Sequence, residues 1–434
     1  MYSVRHSTRS LLVACTLSFE LHAQAAKVEL LGIVRDSAGL EVAGATASAT
    51  NLATGFRQSV RTGSDGRYHL FGLLPGRYDV QIEASGFAAF IRPALELALG
   101  DRQTLDVALT VGDVQQSVAV SAAAPLLETT RGSVSRVVDQ RRIVTLPIDG
   151  RNFVPLIALA PGVNLPPTST LPRINGSRPR VSEYIYDGIS VLQPEPGQVA
   201  YFPVLDAIDE FRVETNSYSA EYGRANGGVI IVNQKYGGNA LHGTVFEFLR
   251  NEALNARNLF APTGAKPQFR RNQYGFVMGG PIQTNRTFYF VDWQGTRQST
   301  GNIRLSTVPT NAQRSGRFSN AIFDPATTQR VEAGFTRQPF AGNVIPAARF
   351  DAATVKVLDR YPAPNQFSAT GAELTANNYR RVGNELIAQD QFDTRLDRYF
   401  GTAHRLFGRY AYLRDHSQPI TPLPDGSGNI ASGV

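Results

Sequence analysis

The chain has 434 residues and a formal net charge of +7, and 42% of its residues are hydrophobic while only 18% are charged. A single cysteine excludes a disulfide framework and a cysteine zinc site, and the lack of a glycine period or heptad repeat excludes collagen and coiled coils. Beyond the N-terminus the sequence has no run of about 18 apolar residues, so it predicts no membrane-spanning helix, whereas the alternating strands of a β-barrel need no such run.

The basic residues are unevenly placed along the chain. From Tyr236 onward lie 22 of the 43 basic residues and 14 of the 36 acidic residues, so the second half carries the positive excess. Nearly all of these cations are arginines, and they are scattered through strands and loops instead of forming one stripe. That distribution disfavours nucleic-acid binding and suits a surface that meets anionic lipid headgroups.

The first 25 residues are predicted to be an export signal. Arg5 precedes the short apolar run Leu11–Phe19, and Ala23-Gln24-Ala25 is a typical cleavage site. The alternative is lipidation at Cys15, which the shortness of the apolar core before it disfavours. Cleavage would leave a mature chain without cysteine, which suits an oxidising compartment.

Residues 27–111 are predicted to form a β-sandwich. Short runs such as Leu30–Arg35 and Val42–Asn51 alternate apolar and polar residues and end at turns that contain Gly, Asp or Pro. Strands at a spacing of about ten residues are typical of a sandwich. The expected core residues are Tyr68, Leu70, Leu73, Tyr78, Val80 and Ile82.

The phrases Asp-Gly-Arg-Tyr (65–68) and Leu-Pro-Gly-Arg-Tyr-Asp-Val (74–80) in this segment resemble the carboxypeptidase regulatory-like domain. Despite that name, the sequence predicts no enzyme. Asp65 and Asp79 fit turn and strand-end positions better than a catalytic pair, no histidines have the H-E-x-x-H spacing, and no nucleophile elbow is present. We therefore expect no catalytic residue, no metal and no cofactor.

Residues 112–135 are predicted to be a linker that contains an isolated strand-former, Val114–Ala122. Such a strand can pair with the edge of a partner's sheet through main-chain hydrogen bonds. The alternative is that it forms the last strand of the preceding sandwich, and the sequence leaves both possibilities open. The candidate coupling residues are Val114, Gln115, Gln116, Ser117, Val118, Ala119 and Val120.

Residues 136–238 contain the phrases Ile-Asp-Glu-Phe-Arg-Val-Glu (208–214), Ala-Glu-Tyr-Gly (220–223) and Gly-Gly-Val-Ile-Ile-Val (227–232). These phrases resemble the plug domain of TonB-dependent outer-membrane receptors, specifically the Oar-like subclass with an N-terminal carboxypeptidase regulatory-like domain. The arginine-glycine pair that usually follows the first phrase is absent, and Thr-Asn-Ser (215–217) stands there. The plug residues that we single out are Asp187, Gly188, Asp209, Glu210, Arg212, Tyr222, Gly223, Gly227 and Gly228.

Local chemistry agrees with a plug. Asp187-Gly188 between two strand-like runs predicts a tight turn. Gly223, Gly227 and Gly228 are expected to provide backbone conformations that bulkier residues forbid. Val229–Val232 is an unbroken apolar strand, which predicts burial on both faces.

Residues 239–434 contain alternating segments that predict strands of a β-barrel. Short and long connections alternate between them, as in outer-membrane barrels, and a connection as long as 297–388 is rare in a compact soluble domain. The predicted strands are Thr244–Arg250, Tyr274–Gly280, Phe288–Thr296, Gln389–Tyr399 and Leu406–Arg414. Their aromatic residues are expected to form girdles at the bilayer interfaces: Tyr274, Phe276, Phe288, Tyr289, Phe290, Trp293, Tyr399, Phe400, Tyr410 and Tyr412.

The predicted fold class is therefore mainly β: a sandwich, a mixed α/β plug domain, and the first five or so strands of a transmembrane antiparallel β-barrel. So few strands cannot close around a plug, so the barrel is expected to be incomplete and the chain an N-terminal fragment.

The resemblance implies active uptake of a large or scarce solute through the outer membrane, energised by the TonB complex. The implied partners are that complex, outer-membrane lipid and a solute that the sequence does not identify; glycans, iron chelates, vitamins and peptides are all compatible. The alternative function is a surface-binding or adhesion protein that uses the sandwich.

Overall fold

The computed structural model describes residues 28–112, 117–119, 132–167, 169–193, 195, 197–223, 226–256, 266–332, 334–401 and 404–428. The predicted export signal and Cys15 lie outside the described residues. Every helix within the described ranges is too short or too polar to cross a lipid bilayer.

The chain divides into two compact units, and each unit contains part of the C-terminal strands. The first unit comprises Met1–Val245, Gly275–Gln294 and Gln391–Leu413, and the second comprises Phe246–Tyr274, Gly295–Asp390 and Arg414–Val434.

The N-terminal module is a pair of sheets with an apolar core between them. Its strands are β1 Val28–Asp36, β2 Thr46–Asn51, β3 Arg57–Arg61, β4 Arg67–Leu73, β5 Gly76–Glu83, β6 Ala89–Leu97, β7 Arg102–Thr104, β8 Val107–Leu109 and β9 Ser117–Ala119. One sheet has the order β4-β1-β7 with β8 also paired to β1, and the other has the order β3-β2-β5-β6-β9. All the expected core residues are buried in one cluster, together with alternate residues of β1. The predicted sandwich is thus confirmed.

The plug is a mixed sheet with short helices. Its strands are β10 Val134–Asp139, β11 Val163–Asn164, β12 Arg173–Ile174, β13 Glu183–Tyr186, β14 Ile189–Ser190, β15 Ile208–Asn216 and β16 Val229–Gln234. Its helices are α1 Gln140–Thr145 and α2 Val154–Ile157, with 3-10 turns at Asp149–Arg151 and Leu205–Ala207. The main sheet has the order β10-β15-β16-β13-β14, in which β13 and β16 run parallel. Every residue of β16 is buried, as its unbroken apolar sequence predicts.

The C-terminal strands form a five-stranded sheet, here called the wall. The elements of this region are β17 His242–Asn251, β18 Phe269–Gln283, β19 Thr287–Ser306, α3 Asn311–Arg314, β20 Gln329–Val331, β21 Gly334–Thr336, α4 Ala352–Leu358, β22 Tyr379–Phe400 and β23 His404–Gln418. Single 3-10 turns occur at Glu252–Leu254, Pro325–Thr327, Ala341–Asn343 and Ala347–Arg349. The wall has the order β17-β18-β19-β22-β23, and in the described part of the chain its two edge strands are not paired to each other. All the predicted barrel strands are present, and each is longer than predicted.

The wall has an inward face, which packs against the plug and the sandwich, and an outward face. Alternation in β22 places Asp393, Arg395 and Asp397 inward and buried, while Leu396 and Phe400 are about half exposed on the outward face. The alternation of charged and apolar residues in the sequence of β22 accounts for this division.

The predicted aromatic girdle is wrong for part of its members. Phe288, Phe290 and Tyr399 are buried on the inward face, where the Tyr399 ring lies 4.6 Å from Phe56 of the sandwich. These rings fill a core because the inward face is itself packed. For the aromatic residues on the outward face, which include the exposed Tyr410 and Tyr412, the girdle remains a prediction.

The longest connection of the wall is 307–378, shorter than predicted because β19 and β22 extend further. It has its own local order. Thr310 caps α3 in a capping box, and the guanidinium of Arg314 donates to the carbonyl oxygens of Leu358 and Tyr361 at 2.9 and 2.8 Å. The connection is therefore a folded loop and not a bare linker.

Candidate functional site: two faces of the plug

The first face of the plug is built on the turn that joins β13 to β14. Asp187 and Gly188 have φ values of 47° and 90°, and Tyr186 pairs with Ile189, so they form the tight hairpin turn that the sequence predicts. Asp187 is buried, and its Oδ1 accepts a 3.1 Å hydrogen bond from the backbone N–H of Gln234. The turn therefore holds the carboxylate with its other oxygen directed away from the plug sheet.

Two arginines of the wall reach that second oxygen. The Nη1 atoms of Arg395 and Arg409 each lie 3.3 Å from Oδ2 of Asp187. Arg395 lies on β22 and Arg409 on β23, so one plug carboxylate links two strands of the wall. Because an unpaired buried charge is costly, these groups fix the position of the turn against the wall.

The arginines are also held by carboxylates of the wall. Nε of Arg395 lies 2.9 Å from Asp397, Nε of Arg409 lies 2.9 Å from Asp393, and Nε of Arg405 lies 3.3 Å from Asp397. The inward alternation of β22 and β23 brings these side chains together. We call the set the plug–wall network: Asp187, Asp393, Arg395, Asp397, Arg405 and Arg409.

A plug segment adds neutral contacts to this network. The hydroxyl of Tyr201 donates to Asp393 at 3.3 Å, and the side-chain amide of Gln391 donates to the carbonyl oxygen of Phe202 at 3.2 Å. Burial, together with the nearby Asp393 carboxylate, raises the pKa of the Tyr201 hydroxyl. Tyr201 therefore remains a protonated donor.

The second face of the plug meets the sandwich at Leu99. The Leu99 side chain is buried in a cluster with Ile185, Val229 and Ile231 of the plug. Its backbone is also engaged, since the N–H donates to Oε1 of Glu210 at 2.6 Å and the carbonyl oxygen accepts from Nη1 of Arg212 at 3.2 Å. This contact is mainly apolar, with polar bonds around its edge.

Alternation in β15 turns Glu210, Arg212 and Glu214 toward this contact. Arg212 is 1% exposed, and its Nε lies 3.1 Å from Glu214 while its Nη1 lies 3.9 Å from Asp101 of the sandwich. Burial raises the pKa of Glu210 to about 8, the charge of Asp209 adds to this effect, and the N–H of Leu99 opposes it. The recognised Ile-Asp-Glu-Phe-Arg-Val-Glu phrase thus supplies the polar side of a domain contact.

Asp209 points elsewhere, into a cavity of about 550 Å³ that Lys235, Tyr236 and His242 also line. Burial raises the pKa of Asp209 and lowers that of Lys235, and each charge partly offsets the effect of burial on the other. The Tyr236 hydroxyl donates to the carbonyl oxygen of Pro75 at 2.9 Å, which ties this end of the plug to the sandwich.

The glycines of the plug motif differ in what they require. A Cβ at Gly227 would lie 2.7 Å from the hydroxyl of Ser177. Gly228 has a φ of +131°, and its Cβ would lie 2.8 Å from the carbonyl oxygen of Glu214, so only glycine fits there. The structure does not support the expectation for Gly223, because its φ lies outside the left-handed range and a Cβ there would meet none of the described atoms within 4 Å. Tyr222, beside it, is partly buried against the Leu99 cluster.

Most of the candidate coupling segment lies outside the described residues, namely 114–116 and 120. Ser117–Ala119 forms β9, which pairs in parallel with β6 at Ala89–Ile91. This pairing supports the alternative of a last sandwich strand for these residues. A coupling role for the segment stays a prediction.

The sequence did not identify several members of the site. Leu99, Asp101 and Tyr201 carry no local signal, since their importance depends on contacts far along the chain. Arg405 and Arg409 could have been found, because they share a face of β23 with Phe407 by simple alternation. Within the described ranges, no group of three or more His, Cys, Asp or Glu residues could hold a metal ion.

Comparison with known families identifies two domains. The family model of the carboxypeptidase regulatory-like domain matches residues 29–110, and that of the outer membrane beta barrel domain matches residues 234–433. The chain is also 28% identical over 298 residues to the TonB-dependent transporter Oar of Myxococcus xanthus, an alignment that covers 64% of this chain and 28% of that protein. The chain therefore spans less than a third of the length of this curated relative.

Solved structures similar to the chain include the siderophore receptor PirA of Pseudomonas aeruginosa, with 14% identity and a TM-score of 0.32 over 66% of this chain and 43% of PirA. They also include the outer membrane transporter YddB of Escherichia coli, with 14% identity and a TM-score of 0.33 over 65% of this chain and 48% of YddB.

The two domain matches agree with the order of the modules, in which the sandwich comes first and the barrel strands last. They place the protein in the outer membrane, and the relative is named as a transporter. The chain is thus similar to the TonB-dependent transporter Oar, and it contains a carboxypeptidase regulatory-like domain followed by an outer membrane beta barrel domain.

Proposed function

We propose that this chain forms the sandwich, the plug and the first wall strands of a transporter that takes up a large or scarce solute with energy from the TonB complex. The plug–wall network is the observation that carries this proposal. A buried carboxylate on a plug turn, ion-paired with arginines of two wall strands, suits an element that must be held firmly at rest and displaced during uptake.

The coupling segment fits this proposal through its place in the sandwich. β9 is the last strand in the order β3-β2-β5-β6-β9, and within the described residues no strand pairs with its outer edge. A strand of the TonB protein could add to that edge through main-chain hydrogen bonds. The two roles considered for 114–122, a sandwich strand and a coupling segment, are then compatible.

The alternative of a surface-adhesion protein is less well supported. An adhesion module would present a free sandwich, but this sandwich uses Leu99, Pro75 and Ala53 in contacts with the chain that follows it. In particular, the backbone N–H of Asn239 donates to the carbonyl oxygen of Ala53 at 2.8 Å.

Site-specific disulfide crosslinking tests the coupling. The only cysteine, Cys15, lies in the predicted export signal, so a single introduced thiol can be followed. Val118→Cys in the full chain should crosslink to single-cysteine variants of the periplasmic domain of the source organism's TonB protein. Ser37→Cys, in an exposed sandwich turn, is the matched control.

Crosslinks at Val118→Cys that exceed those at Ser37→Cys at least about tenfold would support the coupling role, because β-pairing fixes the position of the partner strand. Equal or absent crosslinks at both positions would contradict it. A second measurement, heat-modifiable migration of the membrane-extracted protein, would establish independently whether the sheet forms part of a closed barrel.

A further inference from the structure

Asp292 of β19 is a buried carboxylate that makes no hydrogen bond to any described residue. Its side chain is 0% exposed, and neither Oδ1 nor Oδ2 has a partner in the part of the chain that the structure describes. A buried, unsatisfied acidic group is normally selected against, because it loses its solvation without compensation. Its presence beside a charged network therefore indicates that Asp292 has a functional role.

The position of Asp292 follows from the register of the wall. The ring of Phe288 on β19 lies 5.9 Å from that of Tyr399 on β22, and further along the same two strands Arg297 lies 2.9 Å from Asp390. Counting along both strands between these contacts places Asp292 opposite Arg395. Asp292 is thus a direct neighbour of the plug–wall network.

Two charged groups of the plug–wall network, Asp393 and Arg409, act electrostatically on the Asp292 carboxylate. Asp393 itself is bonded to Arg409, and Arg409 is shared with Asp187 of the plug. Asp292 therefore lies beside an arginine that is already occupied by two other carboxylates.

Counting the charges explains why Asp292 lacks a partner. Beside the Asp187 turn, the described inward side chains of the wall include three arginines, Arg395, Arg405 and Arg409, and three aspartates, Asp292, Asp393 and Asp397. This part of the wall is therefore balanced by itself. Asp187 of the plug adds a fourth carboxylate, which pairs with Arg395 and Arg409. Asp292 is then the one of the four carboxylates that has no arginine partner among the described residues.

We propose that Asp292 is the reserve partner of the network, which accepts Arg395 or Arg409 when Asp187 moves away with the plug. The transfer exchanges one ion pair for another, so the three wall arginines still face three carboxylates after the plug is displaced. This exchange lowers the free energy needed to separate the plug from the wall. It leaves the ion pairs of the resting state unchanged. The inference rests on the proposed function only in treating plug displacement as part of the normal cycle.

A double-mutant cycle on the purified full chain in detergent tests this exchange. Hydrogen–deuterium exchange of β13 and β16 reports how often the plug turn leaves the wall. Asp292→Asn should change this rate less than about twofold, and Asp187→Asn should raise it about threefold, because Asp292 takes over its role. The double variant should exceed Asp187→Asn by more than about tenfold, because three arginines then face only Asp393 and Asp397.

Asp390→Asn, a carboxylate on the same strand as Arg395 but outside the network, is the matched control and should combine additively with Asp187→Asn. Additive behaviour of Asp187→Asn with Asp292→Asn, within about twofold, would overturn the proposal. The assay contains no TonB protein, so its failure and a failure of the proposed coupling are separate results.

A structure of the Asp187→Asn variant gives a second test if the double variant does not fold. The guanidinium of Arg395 or Arg409 should then lie within about 4 Å of the Asp292 carboxylate, the usual limit of an ion pair. Arginines that keep their resting positions, with Asp292 still unpartnered, would contradict the proposal.

Discussion

The plug meets the sandwich and the wall through different chemistry. Toward the sandwich it offers an apolar cluster around Leu99, edged by bonds from Glu210 and Arg212 to one backbone position. Toward the wall it offers one carboxylate, Asp187, which two arginines share. The first contact combines close packing with a buried arginine, and the second depends on charge alone.

This difference bears on which contact can open. Separating an apolar contact exposes its surface to water, and nothing in the sandwich replaces the lost packing. Separating the charged contact is cheaper if the arginines keep Asp393 and Asp397 and gain Asp292 in place of Asp187. We therefore expect the sandwich and plug to remain together while the contact with the wall breaks.

Arg212→Ala should have the largest effect on the free energy of unfolding, because it would disrupt the contact between the plug and the sandwich. Arg212 is 1% exposed, and its loss leaves the buried carboxylate of Glu214 without its cation. We expect the free energy of unfolding to fall by about 3–5 kcal/mol, measured by denaturant titration with circular dichroism. Arg173→Ala, an exposed arginine of the same plug, should cost less than about 0.5 kcal/mol, and similar losses in both variants would contradict this account.

Arg409→Gln should break the wall side while leaving the sandwich side intact. It removes the bonds to Asp187 and Asp393, and we expect a loss of about 2–4 kcal/mol in the local stability of the plug turn. Hydrogen exchange should speed up in β13 and β14 but not in β5 of the sandwich. Arg398→Gln, on the outward face of β22, is the control, and equal effects of the two variants would show that the network does not hold the turn.

The sequence was most informative where a short repeat sets the structure. The two-residue period of β22 was enough to place Asp393, Arg395 and Asp397 on one face, and the apolar run of β16 was enough to predict full burial. Gly228 was correctly identified because its conformation is a local property of the chain.

The sequence was less informative wherever the identity of the neighbour matters. Alternation defines two faces of β19 but does not say which one meets lipid, so Phe288 and Phe290 were wrongly expected at the bilayer interface. Leu99 looks like any strand-end leucine until the fold brings it against β16. The pairing of Asp187 with Arg409 likewise joins positions more than two hundred residues apart, which no local pattern reveals.

Leu99→Ala sharpens the comparison by removing packing without changing charge. Leu99 is 1% exposed, and the substitution leaves a cavity in its cluster while keeping both backbone bonds. We expect the free energy of unfolding to fall by about 2–3 kcal/mol. Leu40→Ala, at a leucine of the sandwich that is 66% exposed, should be close to neutral, and a loss at Leu99 no larger than at Leu40 would mean that the cluster contributes little.

The smallest expected effect is a pH dependence of the free energy of unfolding. It arises from Glu210, at the contact between the plug and the sandwich. Burial raises the pKa of Glu210 from its usual 4.5 to about 8, so the folded state binds this proton more tightly than the unfolded state does. The stabilisation is then fully present below about pH 4.5 and is lost as the pH rises through about 8. Over that interval we expect the free energy of unfolding to fall by about 1–3 kcal/mol on account of Glu210.

Glu210→Gln should flatten this decline, because an amide keeps the hydrogen-bond acceptor for Leu99 and cannot ionise. Unfolding titrations at several pH values between about 4.5 and 8 would measure it, with Glu221→Gln, at an exposed position of the same plug, as the control. A slope that is unchanged by Glu210→Gln would show that the carboxylate is solvated in the folded protein. The sandwich contact would then have to rest on Leu99 and Arg212 alone.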